Sequence, residues 1–286
     1  MHNNTLKQQP NSQLRFTAGF PCQPYSVAGL HGGLDDPRGV VVFAIIKYIQ
    51  RVRPRIVILE NVKGLITNHG MVLLDVLEIV RAIIDPETNQ QCYSTYWKLL
   101  DSKLHGGVPQ HRERVYIVLI KRCGRPSVKF EWPPMKAPVT LSSIMDRGSA
   151  KVKSYADYPL AKAGCKTRRQ RLQEGLDRIN KYAQENSKDP MSIACIVDTC
   201  GSKTNIGIEC SPCITRSRGS QKAFWSLQHG RPLSSNELLR LQGFDPASVW
   251  VNVTDNQLGA LVGNAFTLTV FKQVLVAALN AAEGRQ

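Results

Sequence analysis

The stretch R-P-R-I-V-I-L-E-N-V-K-G, residues 53–64, decides how the chain folds. The four consecutive apolar residues Ile56–Leu59, which follow Arg-Pro-Arg, predict a β-strand that is buried on both faces. Residues with helical spacing precede this strand at Gly39–Arg51 and follow it at Met71–Ile84. Because strands and helices alternate, we expect an α/β fold with a mostly parallel, helix-flanked sheet.

The remaining pattern divides the chain into three segments. The alternation of strands and helices ends near Trp132, and an irregular, basic region follows. We therefore expect an α/β domain at 1–135, a smaller basic domain at 136–230 and a C-terminal segment at 231–286 that returns to the first domain. The other predicted strands are Leu14–Ala18, Ser94–Leu100, Val115–Ile120, Pro212–Thr215 and Ala223–Leu227, and the other predicted helices are Thr167–Glu185, Ser234–Gln242 and Thr267–Ala282.

The charge of the chain indicates a polyanionic partner. The 286 residues include 37 Lys and Arg against 22 Asp and Glu, a net charge of +15. Between Arg147 and Lys222 there are 15 basic and 7 acidic residues, so about half of the excess positive charge lies in this segment. Such a concentration favours nucleic acid as the partner.

Composition also restricts the compartment and the kind of site. The eight cysteines are scattered along the chain, which indicates free thiols in a reducing, intracellular compartment. The N-terminus lacks the apolar segment of a secretory signal, and no stretch approaches the roughly 20 apolar residues that span a bilayer, so we expect no membrane partner. Cys210 and Cys213 have C-x-x-C spacing, but Cys195 and Cys200 do not complete a zinc pattern, and no metal site is expected.

A thiol and a carboxylate each follow a predicted strand. Cys22 lies in G-F-P-C-Q-P-Y-S, residues 19–26, where prolines restrain the backbone on both sides of a potential nucleophile. Glu60 directly follows the apolar run Ile56–Leu59, where nearby apolar groups favour a protonated acid. The ends of such strands are where open α/β sheets bind ligands. The alternative interpretations are a loop cysteine without a role and an ordinary solvated acid.

Two arginines precede another predicted strand. Arg112 and Arg114 alternate in Q-H-R-E-R, residues 110–114, which predicts that both side chains point to the same face. Two guanidinium groups on one face suit planar groups that carry oxygen, such as a base carbonyl or a phosphate. A salt-bridged strand edge that includes Glu113 is the alternative.

Six motifs taken in order resemble the DNA cytosine-5 methyltransferase family, and the resemblance covers nearly the whole chain. These motifs are G-F-P-C-Q-P-Y-S at 19–26, D-P-R-G at 36–39, E-N-V at 60–62, Q-H-R-E-R at 110–114, R-P-L-S-S-N-E-L-L-R-L-Q-G-F at 231–244 and G-N-A at 263–265. The resemblance implies a Rossmann-like, S-adenosylmethionine-dependent methyltransferase fold with a smaller mixed target-recognition domain.

The resemblance also implies a mechanism. Cys22 would add to C6 of a flipped-out cytosine in DNA, while Glu60 protonates or hydrogen-bonds N3 and the exocyclic amine. Arg114 would hold the O2 atom of the base, and Arg112 would support the thiol and the adduct. The methyl group would pass from S-adenosylmethionine to C5.

The same resemblance assigns residues that bind DNA and the cofactor. The residues expected to contact DNA are Gln23, Ser26 and Arg38 in the loop that follows the thiol, and Thr215, Arg216 and Arg218 in the basic segment. The residues expected to bind S-adenosylmethionine are Pro21, Val41, Asn264 and Ala265.

One part of the family pattern is not found in this sequence. The Asp-x-Phe-x-Gly-x-Gly motif that normally begins the family, and the acids that bind the cofactor's ribose and adenine, have no counterpart. We therefore expect a chain that is N-terminally truncated relative to the family and inactive alone. It is either a fragment or one half of a split enzyme, and in the second case another chain supplies the cofactor-binding motifs.

Alternative functions remain open at this point. A tRNA cytosine-5 methyltransferase would share the motifs, although the large basic segment favours DNA. A non-catalytic DNA-binding remnant or regulatory subunit would keep the fold without the cofactor site. A cysteine hydrolase would need a histidine beside Cys22, and neither His31 nor His111 has a suitable setting. The expected location is the nucleus in a eukaryote, or the cytoplasm or nucleoid in a bacterium.

Overall fold

The structure, a computed structural model, describes residues 14–20, 39–67, 70–156, 158–160, 164–200 and 204–285. The helices are α1 (Gly39–Val52), α2 (Gly64–Thr67), α3 (Gly70–Arg81), α4 (Ser102–Gly106), α5 (Lys166–Glu185), α6 (Arg216–Ser220), α7 (Ser235–Leu241), α8 (Asp255–Asn264) and α9 (Leu268–Glu283). The strands are β1 (Arg15–Gly19), β2 (Ile56–Val62), β3 (Ile84–Asp85), β4 (Gln90–Gln91), β5 (Tyr93–Asp101), β6 (Glu113–Lys121), β7 (Cys195–Asp198), β8 (Asn205–Ile208), β9 (Phe224–Ser226) and β10 (Arg231–Pro232).

The chain forms two compact units. The first unit consists of Met1–Leu100, Glu113–Pro133 and Lys272–Gln286, and the second consists of Asp101–Arg112 and Pro134–Phe271.

A four-stranded sheet in the order β1-β2-β6-β5 forms the centre of the first unit. β1 runs parallel to β2, whereas β6 runs antiparallel to β2. The expectation of a mostly parallel sheet is therefore wrong at β6. The strand itself was predicted correctly, but a continuous apolar run shows that a strand is buried and carries no information about its direction.

The apolar run of β2 lies at the centre of the first unit's core. Val57 and Leu59 are fully buried, as are Ile117 and Leu119 on β6. Residues of α1 and α3 belong to the same cluster, so the sheet is covered by the two helices that the sequence predicted. This burial holds the end of β2, where Glu60 lies, in a fixed position.

A second four-stranded sheet, in the order β10-β9-β7-β8, forms the core of the second unit, and its paired strands are antiparallel. The predicted helix Thr167–Glu185 is present as α5, and the predicted strand Ala223–Leu227 contains β9. The predicted strand at Pro212–Thr215 is wrong. Side chains satisfy its backbone instead, because the amide of Ile214 donates to Gln110 Oε1 and its carbonyl accepts from Arg112.

The boundaries of the units differ from the predicted domains, because residues 231–271 belong to the second unit. Buried ionic contacts explain this placement. Glu237 is 0% exposed and accepts hydrogen bonds from both terminal nitrogens of Arg231, at 2.9 and 2.7 Å. Glu237 also accepts from the amide of Asp146, and Asp146 in turn accepts from Ser234. The segment that contains α7 is therefore bonded to the region near residue 146.

Helix α8 was not predicted, because its two glycines lower helix propensity. The structure shows why small residues are needed there. A Cβ atom at Gly259 would lie 2.3 Å from the carbonyl oxygen of Gly219 in α6, and one at Gly263 would lie 2.4 Å from that of Thr215. The capping box of Thr254 and Gln257 begins the helix, and close packing on α6 compensates for its weak propensity.

One stretch reaches the length and hydropathy of a membrane-crossing helix, which the sequence analysis did not expect. Among the described residues this stretch is Asp255–Glu283, whose best 18-residue window has a mean hydropathy of 1.5. A single such stretch is weak evidence for a membrane-spanning helix. It consists of α8, with 10 residues, and α9, with 16 residues, and Ala265 at the C-cap of α8 has extended backbone.

The α6–α8 contact gives a direct test of the packing. A Cβ atom at Gly219 would lie 2.0 Å from the carbonyl oxygen of Gly259. We expect Gly219→Ala to lower the free energy of unfolding by about 1–3 kcal/mol through overpacking, measured by urea denaturation. Gly70→Ala is the control, because a Cβ atom there has nothing within 4 Å. Equal stability of the two variants would contradict the proposed packing.

Candidate functional site

Glu60 and Arg114 form an ion pair in the first unit. In the antiparallel register Glu60 lies opposite Tyr116 and Val62 opposite Arg114, so the acid and the arginine are diagonal neighbours on one face of the sheet. Nε of Arg114 lies 3.0 Å from Oε1 of Glu60. Their side chains are only 14% and 13% exposed. Limited contact with water strengthens the attraction between the two charges and fixes both groups.

The end of β1 is fixed beside this pair. Gly19 lies opposite Glu60 in the parallel register. The side-chain amide of Asn61 donates to the carbonyl oxygen of Phe20 at 2.9 Å, and Asn61 is only 4% exposed. Asn61 therefore holds the last described residue before the predicted nucleophile. The sequence analysis quoted E-N-V as a motif but gave Asn61 no role.

Several predicted site residues lie outside the described part of the chain. These are the nucleophile Cys22, the cofactor residue Pro21, and the DNA residues Gln23, Ser26 and Arg38. Their roles stay predictions.

Arg112 contacts the backbone of the second unit. The residue is 3% exposed, and its Nη1 donates to the carbonyl oxygen of Ile214 at 2.6 Å. Its Nη2 donates to the carbonyl oxygens of Gly263, at 3.3 Å, and Ala265, at 2.9 Å. These contacts of Arg112 are with backbone carbonyls, whereas Arg114 pairs with the Glu60 carboxylate. The geometry of Arg112 suits a residue that joins two backbone segments.

Gln110 and Gln242 extend these contacts, and sequence reasoning missed both. Each is 0% exposed. Nε2 of Gln110 donates to the carbonyl oxygen of Leu241, and its Oε1 accepts from Ile214. Gln242 donates to the carbonyl oxygen of Val262 and accepts from Thr267. The sequence offered one indication of this role, which was the glutamine within the motif Q-H-R-E-R. A buried side-chain amide needs several hydrogen-bond partners, so it can join separate backbone segments.

The predicted cofactor residues that the structure describes belong to different units. Val41 lies on α1 in the first unit and is 38% exposed. Asn264, the last residue of α8, is exposed, and Ala265 is its half-buried C-cap. The G-N-A turn therefore ends a helix, three residues before α9 begins.

The three predicted DNA residues of the basic segment have different environments. Thr215 and Arg216 are exposed at the start of α6. Arg218 is partly buried, and its Nε lies 2.9 Å from Oδ2 of Asp198. Arg218 thus has a structural partner in the second unit, whereas Thr215 and Arg216 face solvent.

The buried thiols of the described residues are poor nucleophiles. Burial raises the pKa of Cys195 to about 12 and that of Cys92 to about 11, so both stay protonated at neutral pH. Burial also raises the pKa of Cys210. Within the described ranges, no group of three or more His, Cys, Asp or Glu side chains could hold a metal ion.

Comparison with known proteins identifies the family. Residues 3–279 match the family model of C-5 cytosine-specific DNA methylases. The chain belongs to this family. By family it is an S-adenosylmethionine-dependent DNA cytosine-5 methyltransferase.

Individual relatives support the assignment. The chain is 31% identical to the type II methyltransferase M.HpaII of Haemophilus parainfluenzae over 253 residues, which cover 87% of this chain and 66% of the relative. It is 30% identical to M.NgoBI of Neisseria gonorrhoeae over 261 residues, which cover 89% and 70%. The chain thus spans about two thirds of the length of these relatives.

A solved structure shows the same fold. The Entamoeba histolytica methyltransferase EhMeth superposes with a TM-score of 0.57 over 93% of this chain and 77% of that protein, at 15% identity. The mixed α/β architecture is therefore that of the family.

The contacts of Arg112 predict a large effect on stability. Arg112→Lys keeps the charge but places all donors on one nitrogen, so it cannot reproduce the contacts that the two terminal nitrogens of Arg112 make with three carbonyl groups. Hydrogen bonds to a charged group contribute roughly 1.5–3 kcal/mol each, so we expect a loss of about 2–4 kcal/mol in the free energy of unfolding, measured by urea denaturation.

The matched control is Arg178→Lys, an exposed position on α5 where the same change should be neutral. If Arg112→Lys unfolds at the same urea concentration as the control, the carbonyl contacts do not stabilise the protein.

Proposed function

We propose that this chain carries the catalytic part of a DNA cytosine-5 methyltransferase, which methylates a flipped-out cytosine through a covalent bond between Cys22 and C6. The observation that supports the proposal most directly is the pair of Glu60 and Arg114 beside the fixed carbonyl of Phe20. Cys22 is two residues beyond Phe20 in the sequence, and two residues of extended chain span at most about 7 Å, so we propose that its thiol reaches the base that Glu60 binds.

Cys22, Glu60 and Arg114 are each assigned a role in the proposed reaction. The thiolate of Cys22 adds to C6, while Glu60 provides a proton or hydrogen bond at N3 and the electron pair moves to C5. Arg114 orients Glu60 and holds O2 of the base. After methylation, loss of the C5 proton restores the ring and expels the thiolate. S-adenosylmethionine, when bound, supplies the electrophilic methyl group.

The described residues account for only part of a binding site for S-adenosylmethionine. Asn264 offers an exposed amide, and Val41 offers an exposed apolar side chain at the start of α1. The acids that the family uses for the ribose and adenine have no counterpart in the sequence. We therefore propose that methyl transfer needs cofactor-binding residues from outside these 286 residues, supplied by a second chain or a longer form of this one.

The second unit is proposed as the target-recognition domain. Its basic segment suits the phosphates of DNA, and Thr215 and Arg216 lie exposed beside the contacts of Arg112. We assign Arg112 to positioning this segment, which modifies the expectation that it supports the thiol. Gln23, Ser26 and Arg38 are proposed to contact the DNA around the vacated base.

A covalent trap tests the proposed nucleophile without cofactor. DNA that contains 2-pyrimidinone in place of the target cytosine accepts a thiolate at C6, because the ring lacks the electron-donating amine. We expect a stable protein–DNA adduct that is absent in Cys22→Ser. Glu60→Gln should lower the rate of adduct formation by roughly 10²–10⁴-fold, measured by gel electrophoresis under denaturing conditions.

Exposed thiols provide the controls. Cys123 and Cys165 are both exposed, and their serine variants should form the adduct at the wild-type rate. An adduct that persists in Cys22→Ser would reject the mechanism. DNA binding without any adduct would favour a non-catalytic DNA-binding protein, and an adduct formed only with tRNA would favour the tRNA enzyme.

A methyl-transfer assay tests whether the reaction needs cofactor-binding residues from outside this chain. We expect the purified 286-residue chain to transfer no measurable methyl group from labelled S-adenosylmethionine to DNA, while it still forms the 2-pyrimidinone adduct. Scintillation counting of the recovered DNA measures this. Robust turnover by the chain alone would show that its own residues bind the cofactor.

A further inference from the structure

The outer edge of β1 is open in the described part of the first unit. There β1 is the first strand of its sheet, and β2 is its partner. The carbonyl oxygen of Leu14, just before β1, accepts from the amide of Arg55, just before β2. Because the backbone polar groups of successive residues point to opposite sides of a strand, those of Arg15, Thr17 and Gly19 point away from β2. Their amides and carbonyl groups are directed at the open edge.

An apolar surface accompanies this open edge. The rings of Phe16, on β1, and Tyr48, on α1, have their centres 4.8 Å apart. Phe16 is only partly buried, Tyr48 is 39% exposed, and Ala44, one turn earlier on α1, is also exposed. Proteins normally cover or charge a strand edge with apolar neighbours. We call this surface the β1 edge, and it consists of Arg15, Phe16, Thr17, Gly19, Ala44 and Tyr48.

The charged residues on β1 and α1 are all basic. Arg15 is the one charged residue of β1, and it is exposed. Helix α1 carries Lys47 and Arg51, which are both exposed, and its sequence contains no acid. Arg51 follows Tyr48 by three residues, so the two side chains are neighbours on the helix surface. A complementary partner is therefore an apolar strand that is flanked by acidic side chains.

The relatives of this chain contain polypeptide that has no counterpart here. The chain spans about two thirds of the length of two bacterial relatives, so about a third of each lies outside the match. A β-strand needs only about five or six residues. The unmatched third therefore has room both for a strand that pairs with β1 and for residues that bind the cofactor.

We propose that the β1 edge binds an apolar, acid-flanked β-strand of the polypeptide that supplies the cofactor-binding residues, and that this strand runs parallel to β1. The proposal rests on the proposed function. Since Gly19 lies opposite Glu60 in the parallel register, β1 runs toward the site. A parallel strand ends at the same edge of the sheet, where open α/β sheets bind ligands. The residues that follow it then reach a cofactor beside the base that Glu60 binds.

A synthetic strand tests the surface. The probe is a fluorescent peptide in which valine and threonine alternate between terminal pairs of glutamates, and a matched peptide has lysines in place of the glutamates. Binding to the 286-residue protein is measured by fluorescence anisotropy. We expect the glutamate peptide to bind at least about 10-fold more tightly, because like charges across an interface weaken binding. Absence of binding, or equal binding of the two peptides, would overturn the proposal.

Thr17→Pro tests the backbone pairing. Proline removes an amide that points away from β2, and edge strands tolerate proline there, so the protein should still fold. We expect the affinity for the glutamate peptide to fall by at least about 10-fold, because the bound strand loses a hydrogen bond and meets the proline ring. Thr17→Val keeps the amide and should bind as the wild type does. Equal affinities of the two variants would exclude pairing with β1.

A charge reversal tests the basic flank without a change in the strand. Arg51→Glu should weaken binding of the glutamate peptide and strengthen that of the lysine peptide, each by about 2- to 5-fold. Arg81→Glu is the matched control, because Arg81 is an exposed arginine in the last turn of α3, as Arg51 is in the last turn of α1. The same effect in both variants would show that only net charge matters, which contradicts a site at the β1 edge.

Spin labels on the peptide test the direction of the bound strand. A label at its carboxyl end should broaden the amide resonance of Asn61, at the site end of β2, more than that of Arg55, just before β2. A label at its amino end should have the opposite effect. The reverse pattern would show antiparallel binding and would overturn the assignment of the partner to cofactor binding.

The outcomes distinguish this proposal from the proposed function. A wild-type protein that forms the 2-pyrimidinone adduct but does not bind the glutamate peptide would reject the β1 edge alone. A protein that binds the peptide but forms no adduct would reject the proposed function, and with it the partner's link to the cofactor. Protection of the Thr17 amide from hydrogen exchange before peptide is added would show that this chain or a second copy covers the edge, which would overturn the proposal.

Discussion

The antiparallel pairing of β2 with β6 is the constraint on which the candidate site depends. Ile56–Leu59 of β2 and Val115–Ile120 of β6 are buried, so the register of the two strands cannot slip without moving apolar side chains into solvent. This register makes Glu60 and Arg114 diagonal neighbours. The parallel pairing of β1 with β2 then brings Gly19 to the same end of the sheet. The apolar core therefore sets the position of an acid, an arginine and the chain that leads to a thiol.

The sequence predicted where the strands of this sheet lie better than it predicted their direction and pairing. The apolar runs at Ile56–Leu59 and Val115–Ile120 identified two buried strands, because burial on both faces removes polar alternation. Because a strand without polar alternation has the same pattern in either direction, the sequence did not show that β6 runs antiparallel to β2. The pairing of Glu60 with Arg114 joins residues far apart in sequence, so only the resemblance to a family suggested that they act together.

Other failures arose where tertiary contacts outweigh local preference. The strand predicted at Pro212–Thr215 has the right composition, but the Gln110 and Arg112 side chains satisfy the backbone of Ile214. Helix α8 contains glycines that argue against a helix, and they are present because α6 approaches its backbone too closely for a Cβ atom. Both errors concern the region around Thr215. The sequence pattern of one segment does not show which hydrogen bonds or packing contacts a distant part of the chain provides to it.

The motif Q-H-R-E-R shows how a short sequence can combine two physical tasks. Its first and third residues bond the backbone near Ile214, and its last residue pairs with Glu60. Only Glu113 separates Arg112 from Arg114, so a change at residue 112 that disturbs the local chain can also disturb the arginine that pairs with Glu60. Loss of activity in an Arg112 variant would therefore not establish a chemical role for that guanidinium. Only when the stability and the Glu60–Arg114 pair are shown to be intact can a catalytic effect be separated from a positional one.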